Sequence, residues 1–122
     1  MLTKLKDLPA YVAAFKATGE VTKEDYDTIL VPEIERVDQQ HGHIHFMMVM
    51  ETPSKEFSLG AWFKDAVVGL KHYRGWKKVA IVTDEKMLGK ITDLFCALVP
   101  GSAKGFALML LEEAKSWVAA EQ

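Results

Sequence analysis

Little in this sequence points to a cofactor, a charged polymer or an oxidising compartment. There is one cysteine, Cys96, so no intrachain disulfide framework can hold the chain together. Cys96 lies in an apolar helical pattern, where a buried and inert thiol is expected. No apolar stretch approaches the ~20 residues needed to cross a bilayer. The first residues place Lys4, Lys6, Asp7 and Pro9 ahead of any apolar run, so a secretory h-region is lacking. Fifteen Lys and Arg against 17 Asp and Glu leave a formal net charge of -2, which removes any general reason to expect nucleic acid as a partner. No Walker A, GxGxxG, GxSxG or Cys/His constellation appears. These absences lead to an expectation of a cytoplasmic, non-catalytic single domain over residues 1–122, with no catalytic residue, no metal site and no cofactor.

What is present is an alternation of strand and helix patterns. Residues 2–6 alternate loosely as a short edge strand, Pro9 breaks the ladder, and 11–17 (YVAAFKA) reads as a hairpin partner. Thr22 with Asp25 three residues later resembles a capping box. Tyr26, Ile29, Leu30, Ile34 and Val37 then form a helical stripe, with a kink or break expected at Pro32 and a stop at Gly42. Residues 44–50 (IHFMMVM) are short and almost wholly apolar, as in a strand buried on both faces. Residues 79–82 read as a central strand and 103–107 as the last. Met87, Leu88, Ile91, Leu94, Phe95 and Leu98 form one further helical stripe, and Leu110, Leu111, Ala114, Trp117 and Val118 another. The order is ββαβαβαβα, an α/β domain with a mixed five-stranded sheet and flanking helices.

The most unusual stretch is 59–84, LGAWFKDAVVGLKHYRGWKKVAIVTD. Ser58 is a natural N-cap and Gly75 a natural C′ residue for its helix. Leu59, Trp62, Phe63, Ala66, Val67, Leu70 and Tyr73 or Arg74 share one face, widened by Ala61 and Val68. Trp62, Phe63, Tyr73 and Trp76 are types that suit the boundary between water and acyl chains. Lys64, Lys71, His72, Arg74, Lys77 and Lys78 surround them with positive charge. Asp65 and His72 lie two turns apart, about 10 Å, too far to act as an acid/base pair.

Several of these segments together resemble the SpoIIAA-like family, small bacterial proteins of STAS and CRAL-TRIO type. The matching residues are Gly19-Glu20-Val21-Thr22, Glu24-Asp25-Tyr26 and Pro32; then Trp62, Asp65 and His72; then the run 76–84; and lastly Phe106, Glu112-Glu113-Ala114 and Trp117. The resemblance implies a STAS-type mixed sheet flanked by helices. It also implies kinship with regulators that act through protein contacts and with carriers that hold apolar ligands under a mobile helix. The Asp-Ser-Ser-Gly stretch of STAS antagonists of anti-sigma factors is missing; Ser54 and Ser58 lie in roughly that region, which makes Ser58 a candidate phosphorylation site as well as a cap.

The expected function is a non-catalytic module for a lipid or small apolar ligand, associated peripherally with the inner membrane face. Trp62, Phe63, Val67, Leu70, Leu88, Ile91 and Phe95 would contact the ligand, with Lys64, Lys71 and Arg74 reaching phosphates. Methionines 47, 48, 50, 87 and 109 would suit an adaptable lining. The alternative is a STAS-like regulator that buries the same helix in a protein partner or a homodimer. His41, His43 and His45 invite a metal reading, but no Cys or acidic pair completes a ligand set, and structural or solvent-facing roles are expected.

Overall fold

The computed structural model describes residues 2–18, 22–50, 75–84 and 102–120. Five strands form one sheet in the order β1-β2-β3-β4-β5. They are β1 (Leu2–Lys4), β2 (Val12–Ala17), β3 (Ile44–Met50), β4 (Trp76–Thr83) and β5 (Ser102–Ala107). β1 and β2 are antiparallel, while β2, β3, β4 and β5 run parallel. The mixed sheet and its opening hairpin are therefore as the sequence pattern implies.

The first helical region starts as its residues dictate. Thr22 Oγ1 accepts from the Asp25 amide at 3.1 Å and the Thr22 amide donates to Asp25 Oδ2 at 3.2 Å, a complete capping box on α1 (Lys23–Asp25). A π-helical stretch, Tyr26–Leu30, leads into α2 (Val31–His41), where Pro32 occupies the first turn. Pro32 brings no N–H, and its ring would clash with the carbonyl four residues back. The wider π turn, with the Val31 amide on the Tyr26 carbonyl, is where that conflict is absorbed. Gly42 ends α2 at φ 72°, its amide donating to the Asp38 carbonyl at 2.9 Å.

Both sheet faces are covered, which explains why all seven residues of β3 are buried. On one face Phe15, Phe46, Trp76 and Ile81 pack under Leu30, Ile34 and Val37. On the other, Met47, Val49, Val82 and Phe106 meet Ala114 and Val118 of α3 (Leu111–Ala119), which follows a 3₁₀ turn, Leu108–Leu110. Glu33 is buried on α2 and accepts from Lys4 Nζ at 3.0 Å and Arg36 Nε at 2.5 Å. Burial works to raise its pKa, but the Arg36 and Lys4 hydrogen bonds outweigh it and hold the carboxyl below the ordinary range. Arg36 also donates to the Ala10 carbonyl at 3.1 Å, so one ionic group ties α2 to the hairpin.

Several expectations change. Trp76 is 6% exposed and packs edge-on against Phe46, with centroids 5.9 Å apart, so it belongs to the core rather than to a lipid boundary. The methionines do not share a lining: Met47 lies under α3, Met48 and Met50 lie under α2, and Met109 is 86% exposed. Gly75 has no left-handed φ. Its lack of a side chain answers to the Gly42 carbonyl, which a Cβ there would meet at 2.6 Å. Cys96, Met87 and Ser54 lie outside the described residues.

Gly75→Ala should cost about 1–3 kcal/mol, because a Cβ would be forced against backbone. Gly42→Ala meets open space and carries only left-handed strain, about 1–2 kcal/mol. Urea denaturation of both variants checks this, and a Gly75→Ala protein as stable as the parent would contradict the close approach.

Candidate functional site

Strand β4 does not run in simple register against β3. Ile44 pairs with Trp76, but His45 pairs with Lys78, so Lys77 is an extra residue in a bulge. Because side chains alternate, one inserted residue exchanges the two faces for everything beyond it. Trp76 and Val79 both join the core under α2, and Lys78 turns to the side covered by α3.

There Lys78, 8% exposed, meets the carbonyl end of α3. Its Nζ donates to the Trp117 carbonyl at 2.9 Å and the Ala120 carbonyl at 3.0 Å, and stands 5.0 Å over the Trp117 ring. His45 Nδ1 lies 2.6 Å from the Val118 carbonyl, and the Tyr11 hydroxyl donates to the Ala119 carbonyl. Helix ends leave their last carbonyls without intrahelical partners. Here three side chains from the sheet side satisfy them, and Lys78 and the helix dipole attract. Lys78 is therefore not part of a basic surface rim, as its place in the sequence suggested.

A carbonyl only accepts, so the bond to Val118 requires a proton on His45 Nδ1. Burial lowers the His45 pKa; the Val118 bond opposes this, and Lys78, Lys77 and His43 reinforce it. The folded protein thus favours neutral His45, with its lone pair on Nε2.

Beside this fastening is a cavity of about 300 Å³ lined by Tyr11, His41, His43, His45 and Lys77. It opens at the amino ends of β2, β3 and β4. His41 is the last residue of α2, His43 is exposed next to Gly42, and His45 is buried on β3. The Tyr11 ring stands edge-on to His45 at 5.0 Å and to His41 at 6.3 Å. Among the described residues no three His, Cys, Asp or Glu side chains are arranged to hold a metal. The histidine run thus splits into one structural residue and two at the cavity edge.

A family model for SpoIIAA-like proteins matches residues 12–119. The chain belongs to the SpoIIAA-like family. No curated protein and no solved structure gave a match. The span that fits the SpoIIAA-like model covers β2 to the end of α3, with four of the five described cavity residues inside it and Tyr11 one residue before it. The residues expected to contact ligand or phosphate (Trp62, Phe63, Lys64, Val67, Leu70, Lys71, Arg74, Leu88, Ile91 and Phe95), together with Ser58, lie outside the described residues. Local sequence does not reveal the cavity, because its described lining comes from three chain segments. The HxHxH spacing was its only local signal.

Unfolded His45 takes up a proton near its ordinary pKa of 6.5, whereas the folded protein resists protonation to a lower pH. Stability should be intact above about 6.5 and fall as pH drops below it. Thermal denaturation across that range checks this, with His45→Gln expected to flatten the slope. Lys78→Met should cost about 1–3 kcal/mol by orphaning two carbonyls. Hydrogen exchange should then rise first in the last turn of α3; unchanged protection there would count against the fastening.

Proposed function

We propose that this SpoIIAA-like protein is a non-catalytic regulator acting through protein contacts. The observation that carries this reading is the family match over residues 12–119, because STAS-type relatives generally regulate by binding proteins. The described surfaces are compatible with it. Both faces of the sheet are occupied by core. Among the described residues, neither the cavity nor its surroundings bring a nucleophile, a base and an orienting group into one chain of hydrogen bonds. Exposed apolar surface among the described residues includes Met109, 86% exposed, and Leu110, 37% exposed, just after the edge strand β5. Exposed apolar side chains beside a sheet edge suit a protein partner better than water.

The lipid-carrier reading rested on the aromatic and basic residues of 59–98, and nothing in the described residues supports it. No helix among them is long and apolar enough to cross a membrane. Ser58 as a phosphorylation site stays within the regulator reading, and intact mass from the native host would reveal it.

Crosslinking in the native host should recover one defined protein, or a second copy of this chain. Met109→Glu with Leu110→Glu should reduce recovery about tenfold, the equivalent of ~1.4 kcal/mol. Purified protein should not float with anionic vesicles. Absence of any protein partner combined with lipid in native mass spectra would overturn the regulator reading in favour of a carrier.

A further inference from the structure

The cavity beside the end of α3 has a chemistry that the regulator reading does not use. Among the described residues its lining supplies hydrogen-bond donors and no carboxylate: the Lys77 ammonium and the imidazoles of His41 and His43, together with Tyr11 and His45. Tyr11 has spent its hydroxyl on Ala119, and His45 its Nδ1–H on Val118. Among the described residues, the side chains of Lys77, His41 and His43 have no hydrogen-bond or ion-pair partner. Lys77 is also the inserted residue of the β4 bulge. The irregularity that sends Lys78 into the helix end places Lys77 at the cavity, and bulges are a common means of re-aiming a side chain at a site. Asp38, on α2, stands toward Gly75 and is not part of the lining.

We propose that this cavity binds a small free oxyanion of the phosphate class, held by Lys77, His41 and His43. Charge-assisted hydrogen bonds from ammonium and imidazole groups are strong with such anions. The volume holds a phosphate group with a small substituent. His45 sharpens the selectivity. Its remaining polar atom, Nε2, carries a lone pair, so the site accepts a hydrogen bond at one point and donates elsewhere. Phosphate near neutral pH keeps an O–H that can donate to Nε2; sulfate has none, and would present an oxygen to that lone pair. The site should therefore prefer phosphate to sulfate of equal size. This inference does not depend on the regulator reading and stands or falls separately from it.

The test is a titration of the full chain with inorganic phosphate at constant ionic strength, followed through side-chain nitrogen resonances of the histidines. Saturable shifts at His41, His43 and His45 are expected, with sulfate at least about tenfold weaker. Lys77→Gln and, separately, His43→Gln should each weaken phosphate about tenfold, as loss of one charged hydrogen bond does. His43 is exposed, so its variant tests the site without disturbing the bulge, and unchanged backbone amide spectra confirm the fold. Non-saturating shifts, equal responses to sulfate, or variants that bind like the parent would each overturn the proposal. Binding to vesicles carrying phosphate-monoester head groups without any response to the free ion would overturn it too, by assigning the donors to a membrane surface.

Discussion

The carbonyl end of α3 is the constraint on which this side of the molecule depends. A helix packed on a buried sheet face must have its last backbone oxygens satisfied, because water reaches them poorly. Here Tyr11, His45 and Lys78 converge on the carbonyls of residues 117–120. They come from the starts of three adjacent strands, β2, β3 and β4. The packing of Ala114 and Val118 holds α3 against the sheet. The four hydrogen bonds from these three side chains fix where along the strands its end comes to rest. Apolar packing alone is non-directional, so registry must come from such bonds.

The Lys78 part of that arrangement depends on one irregularity in β4. Were Lys77 an ordinary strand residue rather than a bulge, alternation from Trp76 would carry Lys78 to the face covered by α2, among Phe46, Ile44 and Ile34. An ammonium there would have no carbonyls to meet, and burying it unpaired would cost several kcal/mol. With the insertion, Trp76 and Val79 can both lie under α2 while Lys78 lies under α3. The bulge lets one strand hold a tryptophan and a lysine, two residues apart, in opposite layers. Gly75 belongs to the same device: its carbonyl accepts from the Ile44 amide at 2.7 Å, and its bare Cα lets the turn at Gly42 pass close by.

These particulars separate what local sequence encodes from what it does not. The capping box at Thr22, the stop at Gly42 and the buried strand at 44–50 are local, since each follows from the residues within a few positions. So is the distortion ahead of Pro32, although its form, a π turn rather than a kink, is not. The bulge left no local mark, because Trp-Lys-Lys-Val reads equally well in either register. The sequence pattern therefore assigns Lys78 and Trp76 to a surface that neither occupies. His45 finds its partner 73 residues away. The cavity joins segments whose proximity follows from sheet order, not from spacing. The donor character of 41–45 was visible; Tyr11 and Lys77 as its neighbours were not.

The two surfaces of functional interest lie at opposite ends of the parallel strands. Met109 and Leu110 follow the carboxyl end of β5, while the cavity is at the amino ends of β2, β3 and β4. α3 begins beside the first and ends beside the second, so it is the described element that reaches both. Tyr11 and His45 each line the cavity and bond the end of that helix. A donor from a bound anion to His45 Nε2 would polarise the ring and strengthen its Nδ1–H bond to Val118, as linked hydrogen bonds reinforce one another. Occupancy would then tighten the hold on α3 rather than release it. A contact surface built on the start of α3 would be steadied, not exposed, when the cavity is filled.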